Sequence, residues 1–156
     1  MSRKTLNWAL FTIMWYIIML ILIPPKHRPK LFPFGFWLGF VQAILLNRIT
    51  MRTYKLWRLP GDILIGGIPL FAALSWFPPA IIFAYYFPLT YNWIWKAAYI
   101  FFFAAGTTIA QHIQKRIGMW ENINWKTIYT FPLAIVTHFI MTVLIPVFNI
   151  DHLRNK

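Results

Sequence analysis

The chain has 156 residues, of which 60% are hydrophobic and 12% charged, and its 15 Lys and Arg residues outnumber three Asp and Glu for a formal net charge of +12. A soluble domain carries about 25% charged and about 45–50% apolar residues, so this composition is typical of an integral membrane protein. The lack of cysteine excludes disulfides, thiolate zinc sites, cysteine nucleophiles and iron–sulfur clusters. Three carboxylates argue against an all-protein calcium site and a paired-carboxylate hydrolase.

The hydropathy pattern predicts one transmembrane domain, residues 1–156, with five apolar segments. The first, 6–23, carries no charge over 18 residues and is long enough to cross about 30 Å of hydrocarbon. A cleaved signal peptide is the alternative, but Pro24-Pro25-Lys26 follows the segment instead of a small-residue cleavage site. We therefore expect a retained helix. The other four segments lie at 31–47, 62–88, 93–113 and 126–149.

The second and third segments are the irregular ones. The second, 31–47, is short and contains Gly35 and Gly39 four residues apart, a spacing that lets another helix approach closely. The third follows Asp62, which is well placed to cap a helix start. A straight helix over 62–88 would be about 40 Å long, too long for the hydrocarbon core without tilt. We expect a break at Pro78-Pro79, which leaves either one kinked span or a span with a short re-entrant arm.

The last two segments are more regular. Trp93 and Trp95 open the fourth at the membrane interface, and Pro132 and Pro146 kink the fifth if it is helical. A polar tail, 151–156, follows the fifth segment.

The fold class predicted is therefore an all-α integral membrane helical bundle with about five transmembrane helices. Five spans with a cytoplasmic amino terminus put nine Lys and Arg residues inside and five outside, in agreement with the positive-inside rule. The alternative is four spans with 31–47 re-entrant and the amino terminus outside. This arrangement puts ten Lys and Arg residues inside and four outside. The basic clusters flank apolar segments, which favours anionic lipid head groups over nucleic acid as partner and the cell membrane as location.

Polar groups inside the apolar segments are the candidate sites, because hydrocarbon makes them costly unless they pair or bind something. His138 and Thr142 share one face of the last segment, and Gln111 lies on the segment before it. With Asp62, these are the candidates for a ligand-responsive or proton-responsive role. Structural hydrogen bonding between helices is the alternative. Four small residues are the candidates for helix packing: Gly35, Gly39, Thr107 and Ala110.

No metal or catalytic motif is present. His138, His112 and His27 share no metal-ligand spacing. The patterns HExxH, GxSxG, the P-loop and GxGxxG are absent from the sequence. We expect no catalytic residue, no metal site, no cofactor and no enzymatic activity.

Three stretches resemble a known family: 60–69 (PGDILIGGIP), 75–79 (SWFPP) and 121–125 (ENINW). Together they are similar to small multi-pass membrane proteins of endospore-forming Gram-positive bacteria, a family of four or five helices with no assigned activity. The resemblance implies a cytoplasmic-membrane location and contributes no catalytic residue.

The function expected from these observations is that of an accessory or scaffold subunit, because the Gly, Ala and Thr faces offer surfaces to other helices. It would assemble as a homo-oligomer or within a membrane protein complex. The first alternative is a small transporter or channel for an anionic or aromatic substrate, bound near the helix breaks. The second is a membrane-embedded lipid-modifying enzyme.

Overall fold

The computed structural model describes residues 2–150 and Leu153, and these residues are mostly helical. The mostly helical fold is confirmed, and four helical segments in this part of the chain are long and apolar enough to cross a membrane. They are Arg3–Leu22, Pro25–Thr53, Trp93–Arg116 and Thr127–Leu144. The predicted polar tail, apart from Leu153, lies outside the described residues.

Helix α1 (Arg3–Leu22) begins and ends with specific caps. The Ser2 hydroxyl accepts a hydrogen bond from the Thr5 backbone N–H and satisfies one of the free donors of the first turn. At the other end, the Arg28 guanidinium donates to the Ile23 carbonyl at 2.9 Å and to the Leu20 carbonyl at 2.7 Å. A cation at a helix C-terminus is favourable because it faces the negative end of the helix dipole.

The second segment is one continuous helical rod, Pro25–Thr53. It extends well beyond the predicted 31–47, so the short segment of the fold does not lie here. Two stretches of wider π geometry interrupt the rod and change the direction in which its side chains point. Its parts in chain order are a 3₁₀ turn (Pro25–His27), α2 (Arg28–Phe34), a π stretch (Gly35–Val41), α3 (Gln42–Arg48) and a second π stretch (Ile49–Thr53).

The third segment differs most from the prediction. No helix starts at Asp62; a hairpin of strands β2 (Leu64–Ile65) and β3 (Ile68–Pro69) comes first, and its turn uses Gly66 and Gly67 at φ values of 58° and 83°. Helix α4 (Leu70–Leu74) and helix α5 (Phe77–Tyr86) follow.

The break in the third segment falls at Ser75 and Trp76, just before Pro78 and Pro79. The two prolines open α5 instead of interrupting it, because proline fits the first turn of a helix, where its missing N–H costs nothing. The apolar helical part, Leu70–Tyr86, is shorter than the four long segments.

Helices α6 (Trp93–Arg116) and α7 (Thr130–Leu144) form an antiparallel pair. The Asn92 side chain caps α6 by accepting from the Trp95 N–H. The loop between the helices contains strand β4 (Glu121–Asn122), which pairs antiparallel with β1 (Trp57–Arg58). Two 3₁₀ turns flank α7, at Thr127–Tyr129 and Pro146–Phe148.

Contacts between segments define two ends of the bundle. At the first, which we call the N-terminal end, Lys4 Nζ lies 3.0 Å from Glu121 Oε1 and the β1–β4 pair joins two loops. At the opposite end, the Tyr86 hydroxyl donates to the Leu22 carbonyl at 2.9 Å. Since the 3₁₀ turn at Pro25–His27 follows α1 directly, the second segment returns from the opposite end to the N-terminal end.

Gly35 and Gly39 lie at a very close contact between the second segment and α5. A Cβ on Gly35 would come within 2.7 Å of Ile81 Cγ1, and one on Gly39 within 2.7 Å of the Trp76 carbonyl oxygen. The close helix approach expected from their spacing therefore occurs within this chain, between neighbouring segments, and the two glycines are buried there.

Candidate functional site

A central cavity of about 410 Å³ lies between the helices of the bundle. Each of α1, the second segment, α5, α6 and α7 contributes one stripe of residues to its wall. On α6 the lining residues run from Phe102 to Gln114, which corresponds to about 18 Å along the helix axis. The volume lies within the range of small-molecule sites, about 300–1,000 Å³.

The small and polar stripes of α6 and α7 form one wall of the cavity. Gly106, Thr107 and Ala110 line it from α6, and Ala134 and Thr137 line it from α7. The sequence placed Thr107 and Ala110 on a face for packing against other helices, whereas here they line the cavity. Gly106 leaves the most room, because a Cβ added to it would meet no atom within 4 Å.

The wall of the cavity carries no formal charge. Among residues 2–150 and Leu153, no Asp, Glu, Lys or Arg lines it. Asp62 lies at the N-terminal end of the bundle instead, where its Oδ2 accepts from the Ser2 backbone N–H at 2.5 Å and its own N–H donates to Thr5 Oγ1 at 2.9 Å. The hydrogen bond from Ser2 lowers the pKa of the Asp62 carboxyl below its usual value.

A tryptophan cluster (Trp57, Trp120 and Trp125) lies beside the cavity at its N-terminal end. The Trp57 ring centre lies 4.9 Å from that of Trp120 and 5.2 Å from that of Trp125. Trp57 is fixed by a buried hydrogen bond of 3.0 Å from its indole N–H to Asn47 Oδ1. Trp57 and Trp120 line the cavity directly.

Gln111 is held by a chain of hydrogen bonds that begins in this cluster. The Trp125 indole N–H donates to Thr130 Oγ1 at 2.9 Å, and the Thr130 hydroxyl donates in turn to Gln111 Oε1. Gln111 is only 2% exposed, and its Nε2 has no hydrogen-bond partner within the described part of the chain. The Trp120 indole nitrogen is likewise buried and unpaired among these residues. The N-terminal end of the cavity thus presents two unused N–H donors.

Other polar groups lie along the remaining wall. Gln42 lines the cavity from the second segment, and its Oε1 is buried with no partner in the described residues. Ser75 lies at the helix break, but its hydroxyl donates to the Ala72 carbonyl at 2.8 Å and is already used.

His138 lines the cavity at an aromatic part of the wall. Its ring centre lies 4.9 Å from that of Phe83 and 5.8 Å from that of Phe103. Its Nδ1 lies 2.7 Å from the Ala134 carbonyl oxygen one turn earlier, the distance of a hydrogen bond that fixes the ring. Thr142 does not line the cavity; its hydroxyl donates to the His138 carbonyl within the helix.

The structure thus brings together two of the four residues predicted to be responsive, His138 and Gln111, and leaves Asp62 and Thr142 elsewhere. Sequence reasoning proposed neither Trp57 nor Trp120 as a wall residue. For Trp57 a signal was available, because Asn47 is a buried amide in an apolar segment and needs a polar partner such as an indole N–H.

Within residues 2–150 and Leu153, no three His, Cys, Asp or Glu side chains lie close enough together to hold a metal ion. Comparison with protein-family models, with curated protein sequences and with solved structures gives no match to this chain. The resemblance to small membrane proteins of endospore-forming bacteria therefore stays a prediction from the sequence.

Proposed function

We propose that this protein is a small multi-pass protein of the cell membrane that binds an uncharged, mostly apolar small molecule in its central cavity. The observation that carries the proposal is the cavity itself, in which the described residues form an uncharged wall with buried N–H donors that have no partner among them. Pockets that bind small molecules combine a largely apolar lining with a few polar groups that orient the ligand. Binding of this kind would be the first step of transport, the first alternative that the sequence left open.

The topology we propose has five membrane crossings and a cytoplasmic amino terminus. The third crossing would be made by α4 and α5, since Gly61 lies beside both Pro69 and Thr5 at the N-terminal end and Tyr86 reaches Leu22 at the opposite end. The β2–β3 hairpin would lie at the N-terminal end, because exposed non-helical backbone is not tolerated in hydrocarbon. Nine Lys and Arg residues lie in segments at or near the N-terminal end: Arg3, Lys4, Arg48, Arg52, Lys55, Arg58, Lys115, Arg116 and Lys126.

At the opposite end of the bundle, the described residues include four Lys and Arg residues: Lys26, Arg28, Lys30 and Lys96. The positive-inside rule then favours the N-terminal end as the cytoplasmic one. Basic residues near that surface would attract anionic lipid head groups, each by about 1 kcal/mol.

The uncharged wall favours a neutral or aromatic ligand over an anionic one. Moving an ionised group out of water is costly unless an opposite charge or several hydrogen bonds compensate it. The basic side chains of residues 2–150 lie outside the cavity wall and provide no such compensation there. We therefore develop the aromatic part of the transporter alternative and not the anionic part.

The accessory or scaffold function has less support from the geometry. The sequence argument for a scaffold function was that faces rich in Gly, Ala and Thr would pack against helices of a partner. Gly35 and Gly39 already pack against α5, and Thr107 and Ala110 face the cavity. An accessory function, or self-association, would have to use the outer apolar faces of α1 and α6 instead.

The experiment that tests the proposal fills the cavity. Gly106→Phe projects a ring into open space from α6, and Ile109→Phe places the same ring on a side chain that is 61% exposed and does not line the cavity. Both variants and the wild type are extracted in their own lipids, and native mass spectrometry measures the small molecules retained by each.

We expect the wild type and Ile109→Phe to retain a molecule that Gly106→Phe loses. If the three proteins retain the same set of molecules, the cavity is not the binding site and the proposal is wrong. A fixed protein partner with no small molecule retained would favour the scaffold function instead.

A further inference from the structure

We infer that the ligand is a neutral carbonyl compound whose carbonyl oxygen lies at the N-terminal end of the cavity, against Gln111 Nε2 and Trp120 Nε1. This inference rests on the proposed function and goes further, because it assigns the chemical class of the ligand and its orientation.

The two unpartnered groups of the cavity wall at this end, Gln111 Nε2 and Trp120 Nε1, are both donors. Gln111 is 2% and Trp120 7% exposed, and neither side-chain nitrogen has a partner among the described residues. Leaving a buried N–H without an acceptor is costly, so such groups are normally satisfied by protein, water or ligand. A bound acceptor oxygen would satisfy them. A cation would be repelled by N–H groups that direct their positive ends toward it.

A carbonyl fits this end better than a hydroxyl because a hydroxyl also carries a proton that needs an acceptor. The side-chain acceptors beside these two donors are occupied, and the unpartnered acceptor of the wall, Gln42 Oε1, belongs to a residue five positions before Asn47, about 7.5 Å along the helix. Gln111 Oε1 receives the Thr130 hydroxyl, and Thr130 Oγ1 receives the Trp125 indole N–H. Asn47 Oδ1 receives the Trp57 indole N–H. A carboxylate or phosphate would accept the same hydrogen bonds but would bring a charge that the wall does not neutralise.

The rest of the wall suits a ring or branched hydrocarbon body. Trp15, Phe103 and Met141 line the cavity beyond the donor end. Aromatic rings pack edge-to-face or offset against such side chains, and methionine adapts to irregular shapes.

Two probes of nearly the same shape test the inference: 2-acetylnaphthalene, a ketone, and 2-ethylnaphthalene, which lacks the oxygen. Saturation binding of each is measured to the full-length protein in nanodiscs, and binding to empty nanodiscs is subtracted. One neutral hydrogen bond corresponds to about a three- to tenfold change in affinity. We expect the wild type to bind the ketone at least about threefold more tightly than the hydrocarbon.

Three variants test whether the preference for the ketone over the hydrocarbon arises at Gln111 and Trp120. Gln111→Leu removes the amide, and Trp120→Phe keeps an aromatic ring but removes the indole N–H. Each is expected to weaken ketone binding about three- to tenfold and to leave hydrocarbon binding unchanged. Thr108→Val is the matched control, since Thr108 lies on the same helix outside the cavity wall and its hydroxyl donates to the Ala104 carbonyl. It should bind both probes as the wild type does.

A second measurement does not depend on mutation. The indole ¹⁵N–¹H resonance of Trp120, assigned from its absence in Trp120→Phe, should shift downfield with the ketone and stay in place with the hydrocarbon. Equal binding of both probes to the wild type, without that shift, would overturn the inference and leave the proposed function standing. If neither probe binds above empty nanodiscs, the proposed function fails as well.

Discussion

The surroundings of Gly39 on the second segment and of Gly106 on α6 predict opposite effects for the same substitution. In Gly39→Ala, the new Cβ would lie 2.7 Å from the Trp76 carbonyl oxygen and 2.8 Å from Phe77 Cα. Both are backbone atoms at the start of α5, so they cannot rotate away and the two segments must separate. In Gly106→Ala, the new Cβ has no atom within 4 Å, so nothing has to move.

The magnitudes follow from two opposing terms. Replacing a helical glycine by alanine stabilises a helix by about 0.5–1 kcal/mol, because the unfolded chain loses conformational freedom. Overpacking a well-packed contact costs about 1–3 kcal/mol. We therefore expect Gly106→Ala to raise the free energy of unfolding by up to about 1 kcal/mol, whereas Gly39→Ala should lower it by roughly 0.5–2 kcal/mol.

Gly35→Ala provides an intermediate case. Its new Cβ would meet the Ile81 side chain, with Cγ1 at 2.7 Å and Cδ1 at 2.8 Å. A side chain can partly rotate, but Ile81 is buried, so this substitution should be destabilising by less than Gly39→Ala. The assay is reversible unfolding in bicelles, for example by steric trapping, applied to all three variants and the wild type.

The expected order of stability is Gly106→Ala above the wild type, then Gly35→Ala, then Gly39→Ala. If Gly39→Ala were as stable as the wild type, the close approach of α5 described above would be wrong. If Gly106→Ala were strongly destabilising, the position would be packed and the cavity would not extend to it.

Three further predictions concern single polar contacts. The hydrogen bond from the Ser2 N–H lowers the pKa of the Asp62 carboxyl in the folded chain. The stability that Asp62 contributes is therefore present above its ordinary pKa of 3.8 and is lost as the pH falls through the lower folded value. The difference in thermal midpoint between wild type and Asp62→Asn should accordingly be present at pH 7 and disappear at a pH below the folded pKa. Trp57→Phe leaves Asn47 Oδ1 buried without its donor and should lower the free energy of unfolding by about 1–3 kcal/mol, so an unchanged denaturation curve would contradict the hydrogen bond. His138→Phe should change the free energy of unfolding by less than about 1.5 kcal/mol, because the new ring remains among aromatic neighbours; a larger loss in the same unfolding assay would show that the histidine is needed structurally.

The helical class and the long apolar helices could be predicted from the sequence because they depend on properties of single segments. Length and hydropathy identified the segments around α1, α6 and α7 without knowledge of their neighbours. The close approach at Gly35 and Gly39 was also predicted, but a spacing motif carries no information about which helix approaches. The partner turned out to be α5 of the same chain.

The third segment could not be predicted correctly because its signals conflict. Asp62 suggested a helix start, whereas the two adjacent glycines at 66 and 67 favour a hairpin turn with positive φ at both positions. The glycine pair prevails, and Asp62 contacts the first turn of α1, which is far from it in sequence. The periodicity of a single segment carries no information about contacts between residues so far apart in sequence.

The candidate site was predictable only in part for the same reason. The stripes on α6 and α7 were visible as helical faces, and Gln111 and His138 lie on them. The role of Trp120 depends on pairing between β1 and β4, two strands of two residues each that are separated by more than sixty positions. The hydrogen-bond chain from Trp125 to Gln111 depends on how the end of the α6–α7 loop folds back.

The arrangement of the cavity has a consequence for biosynthesis. Helices α6 and α7 supply one side of its wall, and they leave the ribosome after the other wall elements. We expect that before they dock, Gln42 on the second segment faces an unfinished bundle, although its side-chain oxygen is buried in the folded chain. The nascent chain would then pass through a stage in which this amide has no helix across the cavity. An insertase or chaperone that shields polar groups within the bilayer would protect the chain during that interval.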